Sequence, residues 1–172
     1  ERKHSLIESK NDKYIFDHTQ IRDVLYNDLN RELREEYHRL IGEAYLELCD
    51  EPYEVVEKLA HHFLRAQDER AGDYLLSAGE KAEERFANEE AEKFYSEALD
   101  LLEDDKKLLE AYEGLGDIYT VIGRYEEADR NLHQALDKAD EDTKKAALNR
   151  KISEVHIHEG EYEKALGYAE KG

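Results

Sequence analysis

The sequence predicts an all-α fold: a right-handed superhelical stack of antiparallel helix pairs with a 37-residue period, led by a short N-terminal β-hairpin. Three observations predict it. Gly42, Gly79 and Gly116 stand 37 residues apart, and Ser153 continues the step. The same interval links Ala91, Ala128 and Ala165, joins Ala98 to Ala135, and runs through Tyr95, Leu132 and Ala169. Between these positions apolar residues recur at helical spacing, and the chain has a single proline. Small-residue registers that share one period mean a repeated structural unit. A unit of this length stacks helical hairpins into an extended surface rather than enclosing an enzyme pocket.

The elements follow in order. Residues 5–8 and 14–16 read as strands around a polar turn at 9–12, a hairpin that is marginal alone and needs a packing partner. His18 or Thr19 opens a helix with Ile21, Val24, Leu25 and Leu29 as its apolar stripe, so residues 1–29 form one segment. The repeats occupy 30–172 as pairs at about 30–66, 69–102, 105–139 and 142–172, the first degenerate and the last truncated. Asn30 is a good cap for a helix to about residue 49 that carries Leu33, Tyr37, Leu40, Ile41 and Leu48. Pro52 suits the first turn of the next helix, 53–66. Joints of a few residues force antiparallel neighbours. Gly123 and Gly160 sit in two of those joints, where a left-handed residue ends a helix at little cost. At the glycine and alanine registers two helices of a pair pass close together; Tyr112, Leu115, Tyr119, Leu132 and Leu136 fill the space between pairs.

Composition narrows the function. Charged residues make up 40% of the 172, and 25 basic against 44 acidic residues leave a formal net charge of -19. Strong periodicity with high charge fits thin helical layers that keep wide solvated faces. A chain this acidic repels phosphate backbones, which argues against nucleic-acid binding by the array. The lysine pairs Lys106–Lys107 and Lys144–Lys145 are isolated beside acidic residues. Cys49 is the only cysteine, so no intrachain disulfide forms. No apolar run spans a bilayer and no signal peptide opens the chain, so a cytoplasmic location is expected. The lack of any methionine points to a piece of a longer protein.

Tyr112-x-x-Leu115-Gly116-x-x-Tyr119 followed by Gly123-x-Tyr125-x-x-Ala128-x-x-x-Leu132-x-x-Ala135 resembles the tetratricopeptide repeat (TPR). The fourth pair is similar through Ile152, Gly160, Tyr162, Ala165 and Ala169, with His156 in place of the usual tyrosine. The second keeps Ala78, Gly79, Ala91, Tyr95 and Ala98. The first retains Ile41, Gly42 and Tyr45 but lacks the alanine of its second helix. The period of 37 exceeds the usual ~34, so about three extra residues are expected in each joint between pairs.

The N-terminal half carries a further resemblance. Phe16-x-His18-x-x-Ile21-Arg22-x-x-x-Tyr26-x-x-Leu29, Arg34-x-x-x-His38, Leu59-Ala60-x-His62-Phe63 and Tyr74-Leu75-Leu76-x-Ala78-Gly79-Glu80-x-Ala82 are together similar to one junction in STAND-type signalling NTPases. It lies between the winged helix and the helical sensor arm. The resemblance implies that residues 4–17 are a wing hairpin and the rest the start of the arm. No G-x-x-x-x-G-K-[ST] occurs, so no ATPase activity is carried over to this chain.

In TPR arrays the first helix of each pair lines the inner groove at five positions. Carried onto this sequence, they are Glu36, Arg39, Glu43, Leu46 and Glu47 in the first pair, and Asp73, Leu76, Glu80, Glu83 and Glu84 in the second. The third pair has Glu110, Glu113, Asp117, Thr120 and Val121, and the fourth Ala147, Arg150, Glu154, Ile157 and His158. Eleven of these are acidic and two basic. The resemblance thus implies a non-catalytic interaction arm whose acidic concave face takes a basic peptide or protein. It lacks the cations that clamp a C-terminal carboxylate. The alternative is a transcriptional regulator whose N-terminal segment completes a DNA-binding winged helix.

Nothing in the sequence pairs a nucleophile with a base, and no cofactor motif occurs. His61 and His62 are adjacent and are expected on different helix faces, and His156 and His158 are about 200° apart around a helix. No metal site is therefore expected. The stripe Tyr162, Ala165, Leu166 and Ala169 near the end leads to the expectation of further repeats or of self-association through that edge.

Overall fold

A computed structural model describes residues 7–10, 13–16 and 19–172. Strands β1 (Ile7–Lys10) and β2 (Lys13–Phe16) pair antiparallel, Ile7 opposite Phe16 and Lys10 opposite Lys13. Ser9 and Lys10, expected in the turn, are thus part of β1. The expected strand start at Ser5–Leu6, the turn residues Asn11 and Asp12 and the cap residue His18 lie outside the described residues. β2 lies beside helix α1 (Thr19–Asp28).

The remaining helices are α2 (Arg31–Leu48), α3 (Val56–Arg65), α4 (Ala71–Glu84), α5 (Asn88–Leu99), α6 (Asp105–Val121), α7 (Tyr125–Lys138), α8 (Asp142–Glu159) and α9 (Tyr162–Ala169). A 3-10 turn, Pro52–Val55, leads into α3 with Pro52 at its start. From α2 onward each helix packs on the next, and α4 also touches α6. No helix among the described residues is long and apolar enough to cross a membrane.

Local chemistry explains the boundaries. Asn30 accepts the backbone N–H of Leu33 at 2.8 Å, the side-chain cap its position called for. Asp104 does the same for Lys106 and Lys107 at the start of α6. Asp68 accepts the N–H of Arg70 and delays α4 to Ala71 rather than residue 69. Gly123 and Gly160 take the left-handed conformation, at φ 78° and 79°. Helices α6 and α8 have 17 and 18 residues against 14 in α4, so the extra length of the period lies partly in first helices and not only in the joints.

The glycine registers are contact points between paired helices. A Cβ on Gly42 would meet Phe63 at 2.8 Å, on Gly79 Tyr95 at 2.6 Å, and on Gly116 Leu132 at 2.6 Å. Ser153, the fourth member, instead donates its hydroxyl to the carbonyl of Ala165 at 2.8 Å, tying α8 to the alanine register of α9. Ala91, Ala98, Ala128 and Ala135 are fully buried opposite. One core runs from Val56 to Val155, and a smaller cluster of Leu59, Phe63 and Ala71 joins α3 to α4, where Arg70 stacks 4.1 Å over the Phe63 ring.

Several expected core stripes are exposed. Val24 and Leu25 of α1, and Leu33, Tyr37, Leu40, Ile41 and Leu48 of α2, face solvent. The reason is that α2 has a helical partner on the α3 side and makes little contact with α1. In α9, where the sequence leads to an uncovered stripe, Tyr162, Leu166 and Ala169 are exposed, while Ala165 is buried against α8.

The glycine contacts give a signed test. Gly79→Ala and Gly116→Ala should each lose about 1–3 kcal/mol by overpacking. Gly167→Ala, where an added Cβ meets nothing within 4 Å, should gain about 0.5–1 kcal/mol of helix propensity. Urea denaturation midpoints at unchanged slope measure both; a neutral Gly116→Ala would refute the close approach.

Candidate functional site

The inner-face positions named from the sequence fall on α2, α4, α6 and α8, and four of their acids are met by a cation in, or just before, the first helix of the next pair. Arg70, oriented by Asp68, reaches Glu43 at 2.6 Å. Lys107 reaches Asp73 at 2.6 Å. Lys151 bridges Glu113 at 2.9 Å and Asp117 at 2.5 Å, and Lys144 also binds Glu113. Burial works against the Glu113 carboxylate, but the two lysines hold its pKa below the usual value. Burial likewise opposes the charge on Lys151, and its hydrogen bonds to Asp117 and Glu113 raise its pKa overall. These positions are therefore less bare of cations than the five residues per helix implied. Arg70, Lys107, Lys144 and Lys151 sit off those positions and reach in on long side chains. Their signal in the sequence is an acid followed roughly one period later by a base.

Other positions have different fates. Glu36 pairs with Arg39 on its own helix. Thr120 donates its hydroxyl to the Gly116 carbonyl at 2.7 Å, turning it back onto α6. Leu76 belongs to the core, not the groove, because α4 also packs against α6 on that side. Leu46 and Ala147 are half-buried, while Glu47, Arg150 and Ile157 are exposed. Glu154 faces His158 at 3.9 Å, and the His158 ring stacks on Tyr125.

Between α4 and α6 the pattern changes. Glu80, Glu83, Glu84 and Glu110 make no ion pair among the described residues. Tyr95 donates to Glu83 at 2.8 Å and Tyr53 to Glu84 at 3.0 Å, so neutral hydroxyls hold two of the carboxylates in place. Burial, then the charges of Glu110, Glu83 and Glu84, push the Glu80 carboxyl above its usual pKa. Burial also raises Glu83, against the Tyr95 hydrogen bond, and raises Asp117 more than Lys151 lowers it. Unbalanced negative charge of this kind favours a cationic guest.

Glu80, Glu83, Glu84 and Asp117 ring a depression of about 520 Å³ whose apolar lining is Phe86, Ile118 and Val121. Phe86 is 85% exposed and has φ 58°. It occupies the joint position that Gly123 and Gly160 hold in the next two pairs. The left-handed conformation costs a side chain of this kind about 1–2 kcal/mol, so packing does not explain phenylalanine here. A larger depression of about 700 Å³ lies along α7, but there Arg124 and Glu127 already satisfy each other.

The histidines depart from expectation. His61 and His62 do not diverge to separate surroundings: both meet His38 of α2, with ring centroids 5.7 and 5.1 Å away. His38 Nδ1 and His62 Nδ1 are 2.9 Å apart, and Tyr26 of α1 bonds His38 Nε2 at 2.9 Å. Burial first, then the neighbouring histidine charges, lowers the pKa of His38 and takes His62 to about 4; burial also lowers His61. A separation of 24 residues between His38 and His62 hid this group from any local motif.

No protein-family model matches the chain, and no curated protein matches it. Among solved structures it is similar to the crystal structure of MamA, at 16% identity and a TM-score of 0.55, covering 87% of this chain and 81% of that one. The likeness supports a TPR-like helical-repeat fold.

Two outcomes are expected from these groups. Because the folded pKa of His62 is depressed from 6.5 to about 4, folding disfavours its protonation; this contribution is intact above about pH 6.5 and lost as pH falls toward 4. His62→Asn should therefore flatten the acid-side loss of stability between pH 6.5 and 4.5, read as the difference from wild type so that the raised carboxylates cancel. Phe86→Gly should raise stability by about 0.5–1 kcal/mol by removing the left-handed side chain; a loss on thermal denaturation would mean Phe86 is a packing residue.

Proposed function

We propose that the chain is a non-catalytic protein-interaction arm that binds a basic segment at the Glu80–Glu84 end of an acidic groove. The observation that carries this reading is the contrast along the inner positions. Glu43, Asp73, Glu113 and Asp117 are paired with cations of the following pair, whereas Glu80, Glu83 and Glu84, around Phe86 and Val121, make no ion pair among the described residues. An apolar anchor ringed by carboxylates suits an arginine- or lysine-rich peptide carrying one large apolar side chain.

On this reading the pairs follow a right-handed superhelical course with α2, α4, α6 and α8 on the concave side. Residues 1–29 are the remnant of a winged-helix-like module, and the whole is the sensor or scaffold arm of a larger signalling ATPase. The arm itself has no chemical step to perform.

Fluorescence anisotropy with a labelled peptide of Lys/Arg pairs flanking a leucine or phenylalanine tests the proposal against the same peptide with Asp/Glu in place of the bases. The basic peptide should bind, and binding should weaken at least about tenfold between low and high salt. Glu80→Lys with Glu84→Lys should abolish it, and Phe86→Gly should weaken it while leaving the fold intact. Salt-insensitive binding, or a preference for the acidic peptide, would overturn the assignment.

A further inference from the structure

The fourth pair ends in a constellation that the third pair lacks. His156 is 5% exposed near the end of α8. Its Nδ1 faces Glu161 Oε2 at 3.1 Å and Glu159 Oε2 at 3.3 Å, and its Nε2 faces Asp129 Oδ1 of α7 at 3.4 Å. The left-handed Gly160 folds the chain back so that Glu161, the residue before α9, returns to the same ring nitrogen as Glu159. One atom from each of His156, Glu159 and Glu161 lies within 4.8 Å of the others.

The distances bear on what this group holds. A charge-assisted N–H···O bond is about 2.7–2.9 Å long, and one Nδ1–H cannot point at two carboxylates at once. Metal–nitrogen and metal–oxygen bonds near 2.0–2.2 Å instead set neighbouring ligand atoms roughly 2.9–3.4 Å apart, the range of both distances from His156 Nδ1. On the other side of the ring, Asp129 Oδ1 is a buried oxygen with no hydrogen bond, lying between His156 Nε2 at 3.4 Å and His133 Nδ1 at 3.3 Å. A carboxylate behind a ligating histidine is the usual support for such a site. Tyr168 stacks on His156 and bonds His133 Nε2 at 2.8 Å, while His133 Nδ1 bonds the Asp129 carbonyl at 2.8 Å.

Comparison one period earlier supplies independent support. Tyr119, Ile122, Arg124 and Glu92 are the counterparts of His156, Glu159, Glu161 and Asp129. There Tyr119 donates to Glu92, and Arg124 pairs with Glu92 at 2.9 Å and with Glu127 at 2.9 Å. In the fourth pair the Arg124–Glu127 pair is reversed to Glu161–Lys164, with Lys164 exposed and 2.7 Å from Glu161. The reversal moves the cation one turn along, where Lys164 bonds the same Glu161 Oε2 that faces His156. A metal ion at this oxygen would take the place of that lysine among the three carboxylates around the imidazole.

We propose that His156, Glu159 and Glu161 bind a divalent first-row transition-metal ion that clamps the joint between α8 and α9, with Asp129 as positioning residue. Imidazole with two carboxylates suits Zn²⁺ and its neighbours rather than Ca²⁺ or Mg²⁺. Water completes the coordination, and the ion ties the last helix to the array.

Zn²⁺ titration by calorimetry on the full chain, with thermal unfolding in Zn²⁺ and in EDTA, tests this. One saturable site and a higher melting temperature in Zn²⁺ are expected. Glu159→Gln and Glu161→Gln should each weaken Zn²⁺ at least about tenfold and Asp129→Asn by a similar factor, with melting in EDTA little changed for the two glutamate variants. His156→Ala removes a buried ring and can unfold α9, so the glutamate variants carry the test. His62→Asn should bind as wild type does. Lack of a saturable site, binding unaffected by both glutamate variants, or binding lost in His62→Asn would each overturn the proposal.

Discussion

Tyr95 is the side chain on which the middle of the array depends. Its ring, on α5, lies where a Cβ of Gly79 on α4 and a Cβ of Gly114 on α6 would be, at 2.6 and 2.5 Å. Two glycines in different first helices thus open one slot for one aromatic, which locks two consecutive pairs together. The buried phenol would be costly without a partner. It finds one in Glu83, whose carboxylate it holds at the rim of the acidic depression. The contact that sets helix spacing therefore also aims a carboxylate of the depression, and the burial and hydrogen bond raise the phenol's own pKa.

Charge organises the contacts between successive first helices. With a net charge of -19 the chain needs its lysines and arginines placed where carboxylates crowd. Arg70, Lys107, Lys144 and Lys151 lie between successive first helices and do so. Such exposed or half-exposed pairs contribute little stability each. Their effect is to decide where negative charge is left over, and it is left over beside Phe86, the residue that occupies a glycine position of the period. The His156 group follows the same logic in reverse, because a swapped ion pair leaves carboxylates facing a buried ring.

Much of this was legible in the sequence. The spacing of Gly42, Gly79 and Gly116 located the helix contacts, Asn30 located a cap, and Gly123 and Gly160 located two turns, because each depends on a local backbone or steric requirement. The stripes of α1 and α2 misled: periodic apolar residues show that a helix has an apolar face, not that something covers it. The acids of α2, α4 and α6 were legible by residue, yet their compensation was not, because long cations reach across from neighbouring helices.

The sequence by itself determined the period, the pairing of helices and the excess of acid, since these follow from side-chain size, chain reversal and composition. Tertiary structure alone decided which charges meet. It brought His38 to His62, Lys151 to Asp117, and Glu161 back to His156 through the left-handed turn at Gly160. Electrostatic partnership depends on distances of a few ångströms between residues far apart or turned back in the chain, and only packing sets those distances.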